Sequence, residues 1–149
     1  MFLVLASHPP TPPAIMRSMD DAAEDVVRRF YQALGDADFQ AAERCFAPDA
    51  LWHLPGSSPI AGDHRGWVQI RDNFLAKLGP LSGGTIRAEL LDVAVGETYV
   101  VAVQRATASR DGRTLDITGC QLIRISNGVI HDVRGHYSDQ TALDTFWVE

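Results

Sequence analysis

Four polar residues near the end of the chain have side chains that could carry chemistry. Asp132, Arg134 and His136 alternate along one predicted strand, and Gln121 lies on the strand before it. Because histidine changes charge near neutral pH, His136 could act as a general base. Arg134 and Gln121 could then donate hydrogen bonds to a carbonyl or epoxide oxygen. The alternative interpretation is structural, with cross-strand ion pairs around a hydrogen-bonded core histidine.

Two hairpin turns predict which of these side chains share a face of the sheet. Asn127-Gly128 and Asp111-Gly112 are typical two-residue turns between strands. Each turn fixes a register, and alternation then places the paired residues on one face. The predicted pairs are Ile123 with Asp132, Gln121 with Arg134, Gly119 with His136, Val100 with Ile123, Ala102 with Gln121, and Gln104 with Gly119. This face starts apolar and becomes polar, which predicts a pocket that Gln121, Asp132, Arg134 and His136 line.

The opposite face of the same strands is also apolar. It is predicted to carry Tyr99, Val101, Val103, Cys120, Leu122, Val133 and Tyr137. Two apolar faces are too many for a sheet that is open to water. We therefore expect one face to cover the helices and the other to meet a second subunit.

The elements that must position these residues form an α+β domain. Apolar spacing predicts helices over 19–35, from Asp38 to about Phe46, and over 67–78, with a short strand at residues 50–54. From residue 84 the period changes to two, which predicts strands over 85–95, 98–109, 113–126 and 129–138. Helices followed by an antiparallel meander indicate one domain, over 18–149, after an irregular leader at 1–17.

Composition excludes several classes of partner. The 149 residues carry a formal net charge of −6, so neither nucleic acid nor an anionic membrane surface is expected as a partner. The apolar start is shorter than the roughly 20 residues that span a bilayer. Cys45 and Cys120 lack metal-ligand spacing and predict reduced thiols of a cytoplasmic protein. His53 and His64 have no third ligand at suitable spacing, so no metal is expected.

Three stretches give the chain a resemblance to a known family. They are "VVRRFYQALGDADFQAAERCFAPDALWHLPG", "SPIAGDHRG" and "NGVIHDVRGHYSD". Together with the order of elements, they resemble SnoaL-like domains of the nuclear transport factor 2-like superfamily from about residue 20 to 145. The resemblance implies a cone-shaped, cystatin-like roll, in which about three N-terminal helices pack in a strongly curved, mostly antiparallel sheet. It also implies a deep ligand cavity and a homodimer through the outer sheet face.

The resemblance suggests which residues meet a ligand. Strand alternation would send Trp52 and Leu54 into the cavity, and the loop from Pro55 to Gly66 would form its rim. Tyr31 could face either the cavity or the sheet. The residues predicted to bind the ligand are Tyr31, Trp52, Leu54, Phe74, Gln104, Gln121 and Ile123.

Ketosteroid isomerases of this family use an aspartate base, a tyrosine donor and a protonated carboxylic acid. The corresponding positions here are Leu54, Phe30 and Gln121, which cannot do that chemistry. Classical steroid isomerisation is therefore not expected. The resemblance to cyclases and epoxide hydrolases points instead to His136, Arg134 and Asp132.

Two hypotheses for function remain open. In the first, the protein is a cofactor-independent isomerase, cyclase or hydrolase that acts on a small apolar carbonyl or epoxide compound. That hypothesis predicts a cavity of about 300 Å³ or more, with His136 and Arg134 pointing into it. In the second, the protein is a non-catalytic ligand-binding or dimerisation domain. Its cavity would be filled by apolar side chains, or its polar groups would bond only to one another.

Overall fold

The structure, a computed structural model, describes residues 14–148. The first helix, α1, runs from Ala14 to Gly35 and so begins earlier than predicted. Residues 14–17 of the predicted leader are therefore helical, and the prediction for residues 1–13 lies outside the described residues. Along α1, Val26, Val27, Phe30 and Tyr31 are buried, as their helical spacing predicts.

The next two helical segments differ from the sequence prediction at their ends. Helix α2, Phe39–Glu43, begins where the Asp38 carboxylate accepts a hydrogen bond from the Ala41 amide at 3.0 Å. It ends before Phe46, because Phe46 already belongs to the first strand. The third predicted helix is α3, Trp67–Ile70, followed by a π-helical turn, Arg71–Leu75, and α4, Ala76–Leu81.

Six strands form one curved sheet in the order β2-β1-β6-β5-β4-β3. They are β1 Phe46–Leu54, β2 Gly62–Arg65, β3 Arg87–Val95, β4 Val100–Arg110, β5 Arg113–Ser126 and β6 Val129–Tyr137. Only the β1–β6 pair is parallel. The sheet is therefore mostly antiparallel, as predicted, and its inner face packs on the helices.

Both predicted hairpins are present. Asp111 and Gly112, and likewise Asn127 and Gly128, all have positive φ angles between 48° and 77°, as a two-residue turn of this kind requires. The predicted β4–β5 register is confirmed, with Gln121 beside Ala102 and Gly119 beside Gln104.

The β5–β6 register contains an irregularity that the turn does not reveal. Ile125 pairs with Ile130 as expected, but the next pair is Arg124 with Asp132. His131 is therefore an extra residue on β6, a β-bulge. Because side chains alternate along a strand, one extra residue reverses which face every later β6 side chain occupies.

A last helix, α5, runs from Gln140 to Trp147 and was not predicted. Its side chains Leu143, Phe146 and Trp147 are buried against the sheet. At its carboxyl end, the guanidinium groups of Arg110 and Arg113 donate to main-chain carbonyl oxygens. The acceptors are Thr145 at 2.8 Å, Trp147 at 2.9 Å and Val148 at 2.9 Å. Positively charged groups stabilise the carboxyl end of a helix, and these hydrogen bonds therefore fix α5 across one end of the sheet.

Across residues 14–148, none of the helices combines the length and the apolar character that crossing a membrane demands.

Candidate functional site

A small cavity lies between α1, the inner face of the sheet and α5. Its volume is about 70 Å³. The side chains around it come from nine helices, turns and strands and from two loops, and most of them are apolar. They are Phe30, Tyr31, Leu34, Trp52, Leu54, Ile60, Phe74, Leu75, Leu78, Ile86, Ala88, Gln104, Ala106, Leu115, Gln121, Tyr137, Leu143 and Trp147.

Aromatic rings form the wall of the cavity beside β1. The Trp52 ring lies 5.6 Å from the ring of Phe30 and 5.2 Å from that of Phe74, measured between centroids. Phe74 in turn stacks on His64, with 5.8 Å between ring centroids. His64 is buried behind this wall and its Nε2 lies 2.8 Å from the carbonyl oxygen of Ile60. His64 therefore supports the wall and does not line the cavity.

Two hydrogen-bonded pairs supply most of the polar surface of the cavity. The Tyr31 hydroxyl donates to Oε1 of Gln104, which joins α1 to β4. Nε2 of Gln121 donates to the Tyr137 hydroxyl at 3.1 Å, which joins β5 to β6. All four groups are neutral amides or phenols, so the polar part of the cavity carries no formal charge.

Two glycines make room for the Tyr137 ring. A Cβ atom placed on Gly119 would lie 2.8 Å from Cδ1 of Tyr137, and one on Gly135 would lie 2.9 Å from Cε2. Both distances are shorter than real side chains tolerate. The ring therefore lies flat over two positions that only glycine can occupy without a shift of its neighbours.

Burial keeps both tyrosines in their neutral form. Loss of hydration raises the pKa of the Tyr31 phenol far above its ordinary value, and nearby Tyr137 and Cys120 raise it further. Burial also raises the pKa of Tyr137, although the hydrogen bond from Gln121 partly opposes this. At physiological pH, both hydroxyls are therefore hydrogen-bonding groups and not bases.

Two buried polar atoms at the cavity wall have no partner among the described residues. They are the indole Nε1 of Trp52, which can only donate, and Oε1 of Gln121, which can only accept. The two residues are 3% and 2% exposed. An unpartnered buried polar group costs about 1–3 kcal/mol, so this pair marks a place where a further polar molecule would be stabilising.

Six of the seven residues predicted to bind a ligand line this cavity. They are Tyr31, Trp52, Leu54, Phe74, Gln104 and Gln121. Tyr31 thus faces the cavity; the sequence had left open whether it faces the cavity or the sheet. The seventh, Ile123, is buried but does not line the cavity, because it packs in the core beside Val100 and Val133.

Asp132, Arg134 and His136 do not face the cavity, so that prediction is wrong. Arg134 pairs with Leu122 and His136 with Cys120, on the outer face of the sheet. The physical reason is the bulge at His131, which reverses the alternation of β6. The side chains of Arg134 and His136 are exposed, and Nε of Arg134 donates to Asp132 at 3.2 Å. The geometry gives no support to a catalytic role for these three residues in the cavity.

The same bulge corrects the prediction for two apolar residues of β6. Val133 and Tyr137 were expected on the outer face, and both lie on the inner face, paired with Ile123 and Gly119. Tyr137 is therefore a cavity residue that the sequence analysis missed. The sequence signal that could have revealed it is the pair of glycines, Gly119 and Gly135, which leave space for a large ring.

The prediction that the loop from Pro55 to Gly66 forms the rim of the cavity is also wrong. From the loop between Pro55 and Gly66, only Ile60 reaches the cavity. Ser57 is instead tied to α5, since its amide donates to Oδ1 of Asp144 at 3.2 Å. The outer hollow that adjoins the cavity lies elsewhere, between the end of α1, the α4 segment and the start of β3, and has a volume of about 510 Å³.

The cavity can bind and orient a molecule, but its lining offers no side chain that could abstract a proton. None of the residues around it is Asp, Glu, His, Lys or Arg. In the part of the chain that the structure describes, no three His, Cys, Asp or Glu side chains cluster as metal ligands would. Neutral hydrogen bonds and apolar contact are therefore the interactions that these side chains supply.

The comparisons with known proteins identify the family. Residues 27–133, more than half of the chain, match the SnoaL-like domain family. The chain belongs to this family. An uncharacterised protein of Mycobacterium tuberculosis is similar to this SnoaL-like domain, at 36% identity over 132 residues that cover 86% of this chain and 98% of the relative.

Two solved structures share the fold of this SnoaL-like domain. Bal32a, from a soil-derived mobile gene cassette, matches with a TM-score of 0.82 at 36% identity, over 86% of this chain and 98% of Bal32a. A protein of unknown function with a cystatin-like fold, from Xanthomonas campestris, matches with a TM-score of 0.78 at 29% identity, over 84% and 97%. The predicted family and the predicted cystatin-like roll are both confirmed.

The contact between Tyr137 and Gly135 predicts a stability difference between two glycine variants. Gly135→Ala should lower the free energy of unfolding by about 1–3 kcal/mol, because its methyl group overlaps the Tyr137 ring. Gly35→Ala is the matched control, since its Cβ meets nothing within 4 Å and Gly35 is an exposed residue at the end of α1. It should be neutral or slightly stabilising. Urea denaturation measures both, and equal effects would contradict the packing described here.

The buried state of Tyr31 predicts a loss of stability at alkaline pH. Above about pH 10, the phenol ionises in the unfolded chain but stays neutral in the folded protein, so unfolding releases a proton. The free energy of unfolding should therefore fall by up to about 1.4 kcal/mol per pH unit from this group alone. Tyr31→Phe should make the fall less steep between pH 9.5 and 11.

The control for this experiment is Tyr99→Phe, because the Tyr99 ring is exposed in the folded protein. That variant should show the same slope as the native protein. The slope is the readout and not the absolute stability, since Tyr31→Phe also removes the hydrogen bond to Gln104. Identical slopes for the native protein and Tyr31→Phe would show that the phenol is not shielded from water.

Proposed function

We propose that this protein binds a small neutral molecule in the cavity beneath the sheet, and that the cavity holds its ligand without acid–base catalysis. The observation that carries the proposal is the unpartnered pair at the cavity wall, the indole N–H of Trp52 and Oε1 of Gln121. One is a donor and the other an acceptor. A ligand with an oxygen that accepts and a hydrogen that donates would satisfy both.

The electrostatics of the cavity favour an uncharged ligand. The lining carries no cationic or anionic side chain, and the two tyrosines remain protonated. A carboxylate moved into such a site would lose its hydration without gaining a counter-ion, which is strongly unfavourable. Hydroxyl, carbonyl and carboxamide groups lose far less hydration free energy when they enter such a site.

The residues at the positions of the isomerase machinery favour binding over proton transfer. Leu54, Phe30 and Gln121 all line the cavity, and none of them can take up a proton from a substrate. His136, the best candidate for a general base, lies on the outer face.

Binding of a short amide tests this proposal. Butanamide offers both a donor and an acceptor, whereas butyrate has a charged head of similar size. The native protein should show saturable chemical-shift changes with butanamide and much weaker ones with butyrate. Gln121→Leu should weaken butanamide binding about tenfold, because it removes a hydrogen bond within a site that excludes water. The measurement is an NMR titration well below the melting temperature.

Gln40→Leu is the matched control for Gln121→Leu, since Gln40 is exposed on α2. It should bind butanamide as the native protein does. Trp52→Phe, which keeps an aromatic ring but has no N–H group, should also weaken binding. If butyrate binds as well as butanamide, or if Gln121→Leu binds like Gln40→Leu, the proposed site is wrong.

We also propose that two copies of the chain associate through the outer face of the sheet. The proposal rests on an outer patch, defined as Val101, Val103, Cys120 and Leu122, which form adjacent pairs on β4 and β5. Arg134 and His136 lie beside this patch on β6. An apolar centre with a polar rim is the usual anatomy of a protein interface.

Light scattering after size exclusion tests this association. The native protein should have the mass of two chains, and Val103→Arg should have the mass of one, because it places a charge in the centre of the outer patch. Val68→Arg is the control, since Val68 is an exposed valine on α3, outside the sheet. A native protein of one-chain mass, or loss of association in the control alone, would contradict the proposal.

A further inference from the structure

An apolar neck lies between the inner cavity and the larger outer hollow. Five residues line both spaces: Leu34, Leu75, Leu78, Ile86 and Ala88. Leu34 lies in the last turn of α1, Leu75 and Leu78 belong to the π-helical turn and α4, and Ile86 and Ala88 lie just before and within the start of β3. A molecule that occupied both spaces would pass between these apolar side chains.

One wall of this neck is lightly packed. Helix α4 has no buried residue along its six positions. It is followed by Gly83 and Gly84, both with positive φ angles, and neither has another atom within 4 Å of an added Cβ. By contrast, α5, on the other side of the cavity, is tethered at both ends, by a hydrogen bond from Gln140 to the Pro55 carbonyl and by those from Arg110 and Arg113. The side of α4 is therefore the easier path for a ligand.

The polar groups without a partner belong to the inside of the protein. Trp52 and Gln121, which carry the unpartnered Nε1 and Oε1, line the inner cavity, and the five side chains of the neck are all apolar. The outer hollow is walled mainly by apolar side chains, with charged residues, Arg87 and Glu89, on β3. A matching ligand has one polar end, which goes in first, and an apolar remainder.

The volumes of the inner cavity and the outer hollow limit the shape of such a ligand. A cavity of about 70 Å³ accepts a head group and a few carbons, whereas the outer hollow of about 510 Å³ accepts a much larger portion. A broad fused-ring molecule does not fit the inner cavity, and a short polar molecule leaves the neck unfilled. Only a narrow chain occupies all three spaces together.

We infer that the ligand is a linear neutral amphiphile, with a hydroxyl or primary carboxamide head held by Trp52 and Gln121. Its unbranched aliphatic chain passes the neck and lies in the outer hollow. This inference rests on the proposed function, because it takes the same cavity as the site of the head group. It adds the class of ligand and the site that binds its chain.

A chain-length series tests the inference on the native protein. The probes are the 1-alkanols from butanol to decanol and the matching carboxamides, each below the concentration at which it aggregates. Each added methylene that becomes fully buried should tighten binding by up to about fourfold. The gain should stop when the chain passes the end of the hollow. Decanoate should bind more weakly than decanamide, because its head is charged.

A variant that fills the outer hollow tests the path of the chain. Gly79 lines this hollow, its added Cβ meets nothing within 4 Å, and it does not line the inner cavity. Gly79→Phe should reduce the ratio of decanol affinity to butanol affinity at least tenfold. Ala22→Phe, on the exposed side of α1, is the control and should keep the native ratio.

The outcomes separate this inference from the proposed function. If butanamide binds and depends on Gln121, but longer chains bind no more tightly, the cavity is a head-group site only and the inference is wrong. An unchanged ratio in Gly79→Phe would also overturn it. If neither butanamide nor any longer probe binds, the proposed function fails and the inference fails with it.

Discussion

The arrangement of this site depends on one extra residue in β6. His131 interrupts the pairing of β5 with β6, and every later side chain of β6 changes face. Without that residue, Arg134 and His136 would point towards the core and Tyr137 would point outwards. Burial of the Arg134 guanidinium and the Asp132 carboxylate beneath the sheet would carry a large desolvation cost, which the attraction within a buried ion pair often does not repay.

The bulge therefore gives the cavity its chemical character. It brings Tyr137 over Gly119 and Gly135, and it places the Tyr137 hydroxyl where Gln121 can donate to it. The Tyr31 and Gln104 pair repeats the same kind of neutral hydrogen bond from α1 to β4. The result is a polar but uncharged interior, in which Trp52 and Gln121 each keep one free hydrogen-bonding atom. Membership in the SnoaL-like family supplies the cone, but these particular side chains supply the preference for a neutral ligand.

Much of the fold could be predicted from the sequence, because its strongest signals are local. The Asp111-Gly112 and Asn127-Gly128 turns locate two hairpins, and the β4–β5 register follows from the first. The bulge at His131 could not be predicted in this way, since the segment around it has no glycine or proline that would mark an irregular strand. Helix α5 was missed for a different reason: its eight residues are stabilised by Arg110, Arg113 and the sheet, which are distant in sequence.

Ligands are therefore expected to meet the neutral inner face of the sheet and not the row of histidine and arginine side chains on its outer face. NMR spectra with and without saturating butanamide test this claim directly, through the Trp52 indole N–H signal and the ring-proton signals of His136. We expect a large shift of the Trp52 signal, with a nuclear Overhauser contact to the ligand, and no shift of the His136 signals. A contact between the ligand and His136, with Trp52 unchanged, would contradict it.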